Sequence, residues 1–398
     1  MKGDFYIVGM GMGFVSLTYE SLRAIEISSI LIFTSERLFD SYKKGSDKNI
    51  EAECFVTYKE EKIKEILKDR NKGAIISIII SGDVGFYSFA AHYKDSDAIF
   101  IPGISSFSAL AAHFHLDYSQ LSFVSIHGRD ERTAVSTIRR NEHSFILLPK
   151  SIQSFVELLT LYGFENLTAY VGSDIGGERE SFEKCTVKEL KDLDDYPLRS
   201  IIIENNEFDS RVRTGIKDDF FIRENKIPMS KRSVRAMVIS ALDLKPTDVV
   251  WDIGCGSGSV SVEAGLSAYD GWIYSMDVKA DAVSLTKKNM IKAKVANVGV
   301  VLNSAPHGLD DFKTPDAVFI GGSNGNIDTI INSALKRNPK VRLVLTAISL
   351  DTLSSAMALP LDWDIMQIQS SFSRKIGKHH MMTGENPIYI LSCGGRDE

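Results

Sequence analysis

Short apolar runs alternate with polar stretches of helical period through the first half of the chain. FYIVGM (Phe5–Met10), SSILIFT (Ser28–Thr34), AIISIIISGD (Ala74–Asp83) and AIFIPG (Ala98–Gly103) read as four buried strands. KEEKIKEILKDR (Lys59–Arg70) between them has a helical period. A second run of strands follows at Leu121–Gly128, Ser144–Pro149, Leu167–Gly172 and Arg199–Asn205. SIQSFVELLTLYG (Ser151–Gly163) reads as an amphipathic helix closed by a glycine. Strand and helix alternating in this way predict parallel α/β layers.

Residues 206–227 lose all periodicity and gain charge, which places a domain boundary near residue 210 and predicts domains 1–208 and 209–398. From Pro228 the pattern restarts. Val234, Met237, Val238, Ala241 and Leu242 form one helical stripe, with Ser230 as the expected N-cap. DVVWDIG (Asp248–Gly254), a glycine turn, a helix, GWIYSMD (Gly271–Asp277) and a further helix come next. Strands near Val298–Leu302, Ala317–Ile320 and Val341–Thr346 continue the series, and PIYILS (Pro387–Ser392) ends it. The expectation is a doubly wound seven-stranded sheet with an antiparallel last strand.

Composition narrows the function. The 398 residues are 44% hydrophobic and 25% charged, the balance of a soluble globular chain. No apolar run reaches the roughly 18 residues of a membrane span. The opening segment lacks the form of a signal peptide, so a cytoplasmic protein is expected. Net charge is −6; residues 209–398 hold 23 Lys+Arg against 21 Asp+Glu, and the remainder is the acidic part. Neither half is basic enough for broad nucleic-acid binding. Cys54, Cys185, Cys255 and Cys393 form no C-x-x-C pair, and no histidine spacing marks a metal site, so none is expected.

The main chemical signal is VVWDIGCGSGSVSVEA, residues 249–264. A strand delivers Asp252, three alternating glycines (Gly254, Gly256, Gly258) make the turn, and a helix begins. Glycine lets backbone approach a ligand without a Cβ in the way, and such sheets bind ligands beyond their carboxyl edge. Asp277 closes the next strand, placed to accept hydrogen bonds from ribose hydroxyls. A dinucleotide fold wants a third glycine where Ser259 stands. D-x-G-x-G-x-G is instead the pattern of methyltransferases that use S-adenosyl-L-methionine, a ligand without phosphate. A nicotinamide-dependent oxidoreductase remains the alternative at this point, as does a methyltransferase acting on RNA or protein.

The N-terminal half also opens on a strand and alternating glycines, IVGMGMG, with Gly9, Gly11 and Gly13. SGDVGFYSFA (Ser81–Ala90), IPGISSFSALAA (Ile101–Ala112) and SIHGR (Ser125–Arg129) each follow an apolar strand, so each sits at a carboxyl edge where a common cleft would form.

Taken together these segments resemble the fused precorrin C5,15-methyltransferases (decarboxylating) of cobalamin biosynthesis. IVGMGMG, SGDVGFYS, PGISSFSALAA and HGR are similar to tetrapyrrole methylases of the class III fold, which has two α/β subdomains. IPMSKRSVRA, WDIGCGSGSVSVEAG, SAPHGL, DAVFIGGSNGNI and TGENPIYIL are similar to the decarboxylating C15-methylating family, with a class I Rossmann-like fold. Met12 and Val84 stand where the family usually has proline, and Ser230 where it has threonine.

The resemblance implies S-adenosyl-L-methionine as cofactor in both halves. Its contacts would be Met10, Gly82, Asp83, Phe86, Ser105 and Ser106 in the first. In the second they would be Ser230, Gly254, Cys255, Gly256, Ser257, Gly258, Asp277 and Ala305. The substrate would be an anionic tetrapyrrole, precorrin-6Y or its cobalt form, methylated at C5 and C15 and decarboxylated at the C12 acetate to give precorrin-8. Carboxylates on such a ring need cations around them, and His127, Arg129, Lys231, Arg235, Lys375 and Lys378 are the substrate-binding candidates. Arg374, His379 and His380, on an expected loop over the cleft, and His307, a candidate proton shuttle, are the catalytic ones. A homo-oligomer, dimer or tetramer, is expected by the same resemblance.

Overall fold

In the computed structural model, which describes residues 3–46, 51–126, 130–147, 151–193 and 199–395, the N-terminal half builds two five-stranded sheets. The first contains β1 (Phe5–Gly9), β2 (Ile30–Phe33), β3 (Glu53–Val56), β4 (Ile76–Ile80) and β5 (Ile99–Ile101). Their order is β3-β2-β4-β1-β5, and every pairing is parallel. All five residues of β4 are buried, as a strand covered on both faces requires. Helices α1 (Tyr19–Ile27), α2 (Glu36–Gly45) and α3 (Glu60–Ile66) connect these strands.

The second sheet, β6 (Ser122–Ser125), β7 (His143–Leu147), β8 (Thr168–Ser173), β9 (Ser181–Thr186) and β10 (Arg199–Glu204), has the order β6-β7-β10-β8-β9. Only β6 and β7 run parallel; the other pairings are antiparallel. Helices α4 (Ser106–His113), α5 (Arg132–Arg140) and α6 (Ile152–Leu161) belong to this stretch of sequence.

The C-terminal half is built on a sheet of seven strands. β11 (Val249–Ile253), β12 (Trp272–Asp277), β13 (Val298–Leu302), β14 (Ala317–Ile320), β15 (Arg342–Ala347), β16 (Asp364–Ile368) and β19 (Ile388–Cys393) take the order β13-β12-β11-β14-β15-β19-β16. The first five are parallel, and β19 runs antiparallel to both neighbours. β17 (Ser371–Ile376) and β18 (His379–Gly384) form a separate antiparallel pair.

Helices α7 (Arg232–Leu242), α8 (Ser259–Ser267) and α9 (Ala280–Lys292) bury Val238, Val262 and Met290 on one sheet face. Helices α10 (Ile327–Arg337) and α11 (Leu350–Met357) bury Ile330 and Ala356 with Trp251 on the other. This is the doubly wound sheet expected from the sequence.

By internal contacts the chain forms two units. One comprises Met1–Arg129, Asn141–Thr160 and Phe164–Phe208; the other comprises Asp209–Glu398 with Asp130–Arg140 and Leu161–Gly163. Helix α5, inside the first half by sequence, therefore groups with the second unit. Ser230 is not the N-cap of α7. Lys231 holds that position without a side-chain cap, and the Ser230 carbonyl is drawn to Arg235.

Candidate active site

At the end of β11 the chain turns through Gly254, Gly256 and Gly258, with φ of 78°, 55° and 73°. All three lie in the left-handed region that favours glycine. A Cβ on Gly254 would stand 2.6 Å from both the nitrogen and the oxygen of Gly322, in the loop after β14. The ends of two neighbouring strands approach so closely there that only glycine fits.

Every amide of this loop is already engaged. Gly254 and Cys255 donate to the Met276 carbonyl at 2.9 and 3.0 Å, and Gly258 donates to Cys255 at 2.8 Å. Ser257 donates to Pro228 at 3.2 Å, and Gly256 donates to Asp277 Oδ2 at 2.9 Å. Phosphate cradles work by presenting free N–H groups. None of the five is free here, so the loop does not offer the donors of a pyrophosphate cradle. That argues against the dinucleotide alternative.

A cleft of about 200 Å³ opens above the loop, lined by Gly254, Asp277, Asn303, Ala305, Gly321 and Gly322 among others. Asp277 Oδ1 also accepts the Lys279 amide at 2.9 Å, so the carboxylate is held rigidly at the cleft wall while each oxygen keeps a lone pair for a ligand. Of the expected cofactor residues, Gly254, Asp277 and Ala305 line the cleft. Ser230 does not; Pro228, two residues earlier, does. Cys255, Gly256, Ser257 and Gly258 form the loop behind it. The reading from sequence missed the wall made by Gly321 and Gly322, although FIGG after an apolar strand has the same small-residue signature. His307, two residues beyond the cleft-lining Ala305, is exposed.

Behind the loop lies a buried polar cluster. Asp252 is fully buried, accepts the Ser261 hydroxyl, and Ser275 donates in turn to Ser261 at 2.9 Å. Burial pushes the Asp252 carboxyl up to about 7; the Ser261 hydroxyl opposes that rise and the nearby Asp277 charge adds to it. Asp252 Oδ1 and Ser257 Oγ are buried with no hydrogen-bond partner among the described residues. Burial also raises the Cys255 thiol, so it is no nucleophile.

The expected substrate cations fare unevenly. Arg235, expected to face the substrate, instead has its side chain fully buried. Its Nε donates to Glu263 at 2.5 Å, Nη1 to the Ser230 carbonyl and Asp218, and Nη2 to the Ile216 carbonyl and Asp218, five bonds for five N–H groups. No donor is left for a substrate. Lys231 stays partly exposed, 4.0 Å from Glu385. Arg374, Lys375, Lys378, His379 and His380 lie not on a loop but on the β17–β18 hairpin, where every strand residue is exposed. None of them lines the cleft. His127 and Arg129 lie outside the described residues.

In the N-terminal unit the carboxyl edge of the first sheet brings several expected residues together. Asp83 Oδ1 accepts the Gly85 amide at 2.8 Å and Oδ2 accepts the Gly103 amide at 3.1 Å. That one carboxylate thus joins the loops after β4 and β5. Gly82, at φ 69°, bridges to Gly11. Ser105 caps α4, which starts at Ser106. Phe86 packs edge-on against Phe107 at 4.7 Å between ring centres. Met10 has its side chain fully buried in the core, with its amide on Ile80 and its carbonyl on Ser16.

Among the described residues no helix is long and apolar enough to cross a membrane. Nor do three or more His, Cys, Asp or Glu side chains gather there as a metal site.

A seven-stranded sheet with an antiparallel insertion, a glycine loop without free amides and an acid closing the second strand define a Rossmann-like methyltransferase. The chain belongs to the precorrin methyltransferase family: residues 219–393 match the precorrin methyltransferase domain. Residues 4–191 match the tetrapyrrole (corrin/porphyrin) methylases. One relative is the probable cobalt-precorrin-6B C(15)-methyltransferase (decarboxylating) of Pyrobaculum calidifontis. It is 36% identical over 185 residues, 45% of this chain and 95% of the relative. The protein of the same name from Sulfurisphaera tokodaii is 36% identical over 183 residues, 44% of this chain and 95% of its own. A solved structure, precorrin-6y C5,15-methyltransferase from Geobacter metallireducens, shares 34% identity. It covers 46% of this chain and 98% of that one, with a TM-score of 0.44.

Proposed function

We propose that this chain is a bifunctional S-adenosyl-L-methionine-dependent methyltransferase of cobalamin biosynthesis. The C-terminal half, residues 209–398, methylates C15 of a precorrin or cobalt-precorrin and decarboxylates its C12 acetate; the N-terminal half, residues 1–208, methylates C5. The observation that carries this is the C-terminal cleft. Its loop has no free amide, and its Asp277 carboxylate is oriented from behind by two backbone N–H groups.

S-adenosyl-L-methionine supplies a methyl group already activated on a sulfonium sulfur. The protein therefore needs to align and enclose rather than to form a covalent intermediate. Asp277 holds the ribose hydroxyls, and Gly254 with Gly322 lets the ligand lie flat against main chain. Ala305 closes the opposite side. Lys279, which lines the cleft, and the partly exposed Lys231 serve the substrate's carboxylates. In the N-terminal half Asp83, with Gly82, Phe86, Ser105 and Ser106, shapes the second cofactor site. A cytoplasmic homo-oligomer fits this role.

Calorimetric titration of the whole chain with S-adenosylhomocysteine tests the reading. Two sites are expected in the wild type, and Asp277→Ala should remove one and spare the other. It should also stop methylation at C15 while C5 methylation continues. Simultaneous loss of both activities would sink the two-site scheme.

A further inference from the structure

Residues 215–228 look like a linker: one 3-10 turn, Asp218–Phe220, and otherwise no regular structure. Yet this segment is fastened to the cofactor loop. Ser257 donates its amide directly to Pro228. Its carbonyl accepts Asn289 Nδ2, on α9, at 2.9 Å. The same nitrogen reaches the Ile222 carbonyl at 3.1 Å, and Asn289 Oδ1 accepts the Ile222 amide at 2.8 Å. Asn289 is fully buried, and both amide donors and the carbonyl of its side chain are in use. Three residues earlier on α9, Thr286 donates to the Gly256 carbonyl at 3.1 Å.

A turn built on three glycines has several backbone conformations within reach. One is selected here because the carbonyls of Gly256 and Ser257 are pulled back onto α9. In this conformation the Gly256 amide, one peptide before the first of those anchored carbonyls, points at Asp277. If the Ser257 carbonyl were released, Gly258 beside it could let the peptide turn, and the hold on Asp277 would loosen.

We propose that Asn289 is a positioning residue for the methyl-donor site, coupling the conformation of residues 222–228 to Ser257 and so setting cofactor affinity in the C-terminal half. The proposal rests on the reading of that cleft as the S-adenosyl-L-methionine site. It assigns the apparent linker to the binding apparatus.

The test is titration of the whole chain with S-adenosylhomocysteine in four variants. Asn289→Ala should weaken one of the two sites about tenfold, the loss expected for a buried clamp of this kind, and leave the other unchanged. Ile222→Pro deletes the amide that Asn289 Oδ1 accepts and exchanges the exposed Ile222 side chain for a ring, leaving Asn289 itself in place. Phe221, at φ −79° and ψ 139°, is already in the extended region that a following proline demands. It should weaken the same site, and the double variant should bind no more weakly than Asn289→Ala alone. Ile331→Val, a trim in the core on the other sheet face, should lower thermal stability without moving either affinity. If Asn289→Ala does not fold, Ile222→Pro decides alone. Unchanged affinity in either variant, or additive losses in the double, overturns the proposal. Absence of the C-terminal site in the wild type would instead refute the cofactor assignment itself.

Discussion

Arg235 Nε donates to Glu263 Oε1 at 2.5 Å, and both side chains are wholly shielded from water. The Glu263 carboxylate also accepts the amides of Gly215 and Ile216 at 2.7 and 2.8 Å. The pair thus pins residues 215–216 to α7 and α8. Breaking a buried pair leaves the surviving charge unpartnered, which costs about 3–5 kcal/mol. Arg235→Ala should lower the urea midpoint of the C-terminal half accordingly. Trp251, Trp272 and Trp363, the three tryptophans of the chain, all lie in that half, so tryptophan fluorescence follows it selectively. An unchanged midpoint would contradict the structural role given to Arg235.

Asp252 makes stability depend on pH in the direction opposite to most carboxylates. Its folded value, about 7, lies above the 3.8 of the unfolded chain. Between those values the folded state binds the extra proton, so stability falls as pH rises through the window and levels off above 7. A full shift of this size corresponds to about 4 kcal/mol as an upper limit. Asp252→Asn removes the charge and should flatten the curve between pH 4 and 7. Denaturation midpoints at pH 5 and 7.5, wild type against variant, read the difference. Parallel curves would show that Asp252 does not titrate there.

Asp83 carries two charge-assisted bonds to backbone amides at the N-terminal edge. Asp83→Ala should release the loops after β4 and β5 from each other. The cost, about 1.5–3 kcal/mol per charged hydrogen bond, corresponds to a loss of at least tenfold in affinity at that site. Calorimetry with S-adenosylhomocysteine should show the C-terminal site intact and the other weakened. Equal weakening of both would mean that Asp83 acts on the whole molecule.

Legibility in the sequence followed locality. β1, β4, β11 and β12 are continuous apolar runs, and the glycine turn with Asp277 is set by neighbours along the chain, so both were readable. β3, β9 and β16 were not, because these edge strands are short or polar and carry no alternation. Arg235 misled because its spacing from Lys231 suggests a shared exposed face. Its partners, Asp218 and Glu263, lie on separate elements, and nothing local to RSVRA announces them. The Gly322 wall of the cleft arrives through β14, and Asn289 through the far end of α9. Both depend on sheet order, which periodicity does not state.

The fully engaged amides of residues 254–258 bear on how such a site can diverge. Four of the five bonds end on main-chain carbonyls, of Met276, Cys255 and Pro228, and side-chain drift leaves these untouched. The fifth ends on Asp277. One substitution there would bare the Gly256 N–H and hand the loop its first free donor, the beginning of an anion nest. Asp277 thus does two things at once: it faces the cleft, and it keeps the loop from offering an amide to an anion.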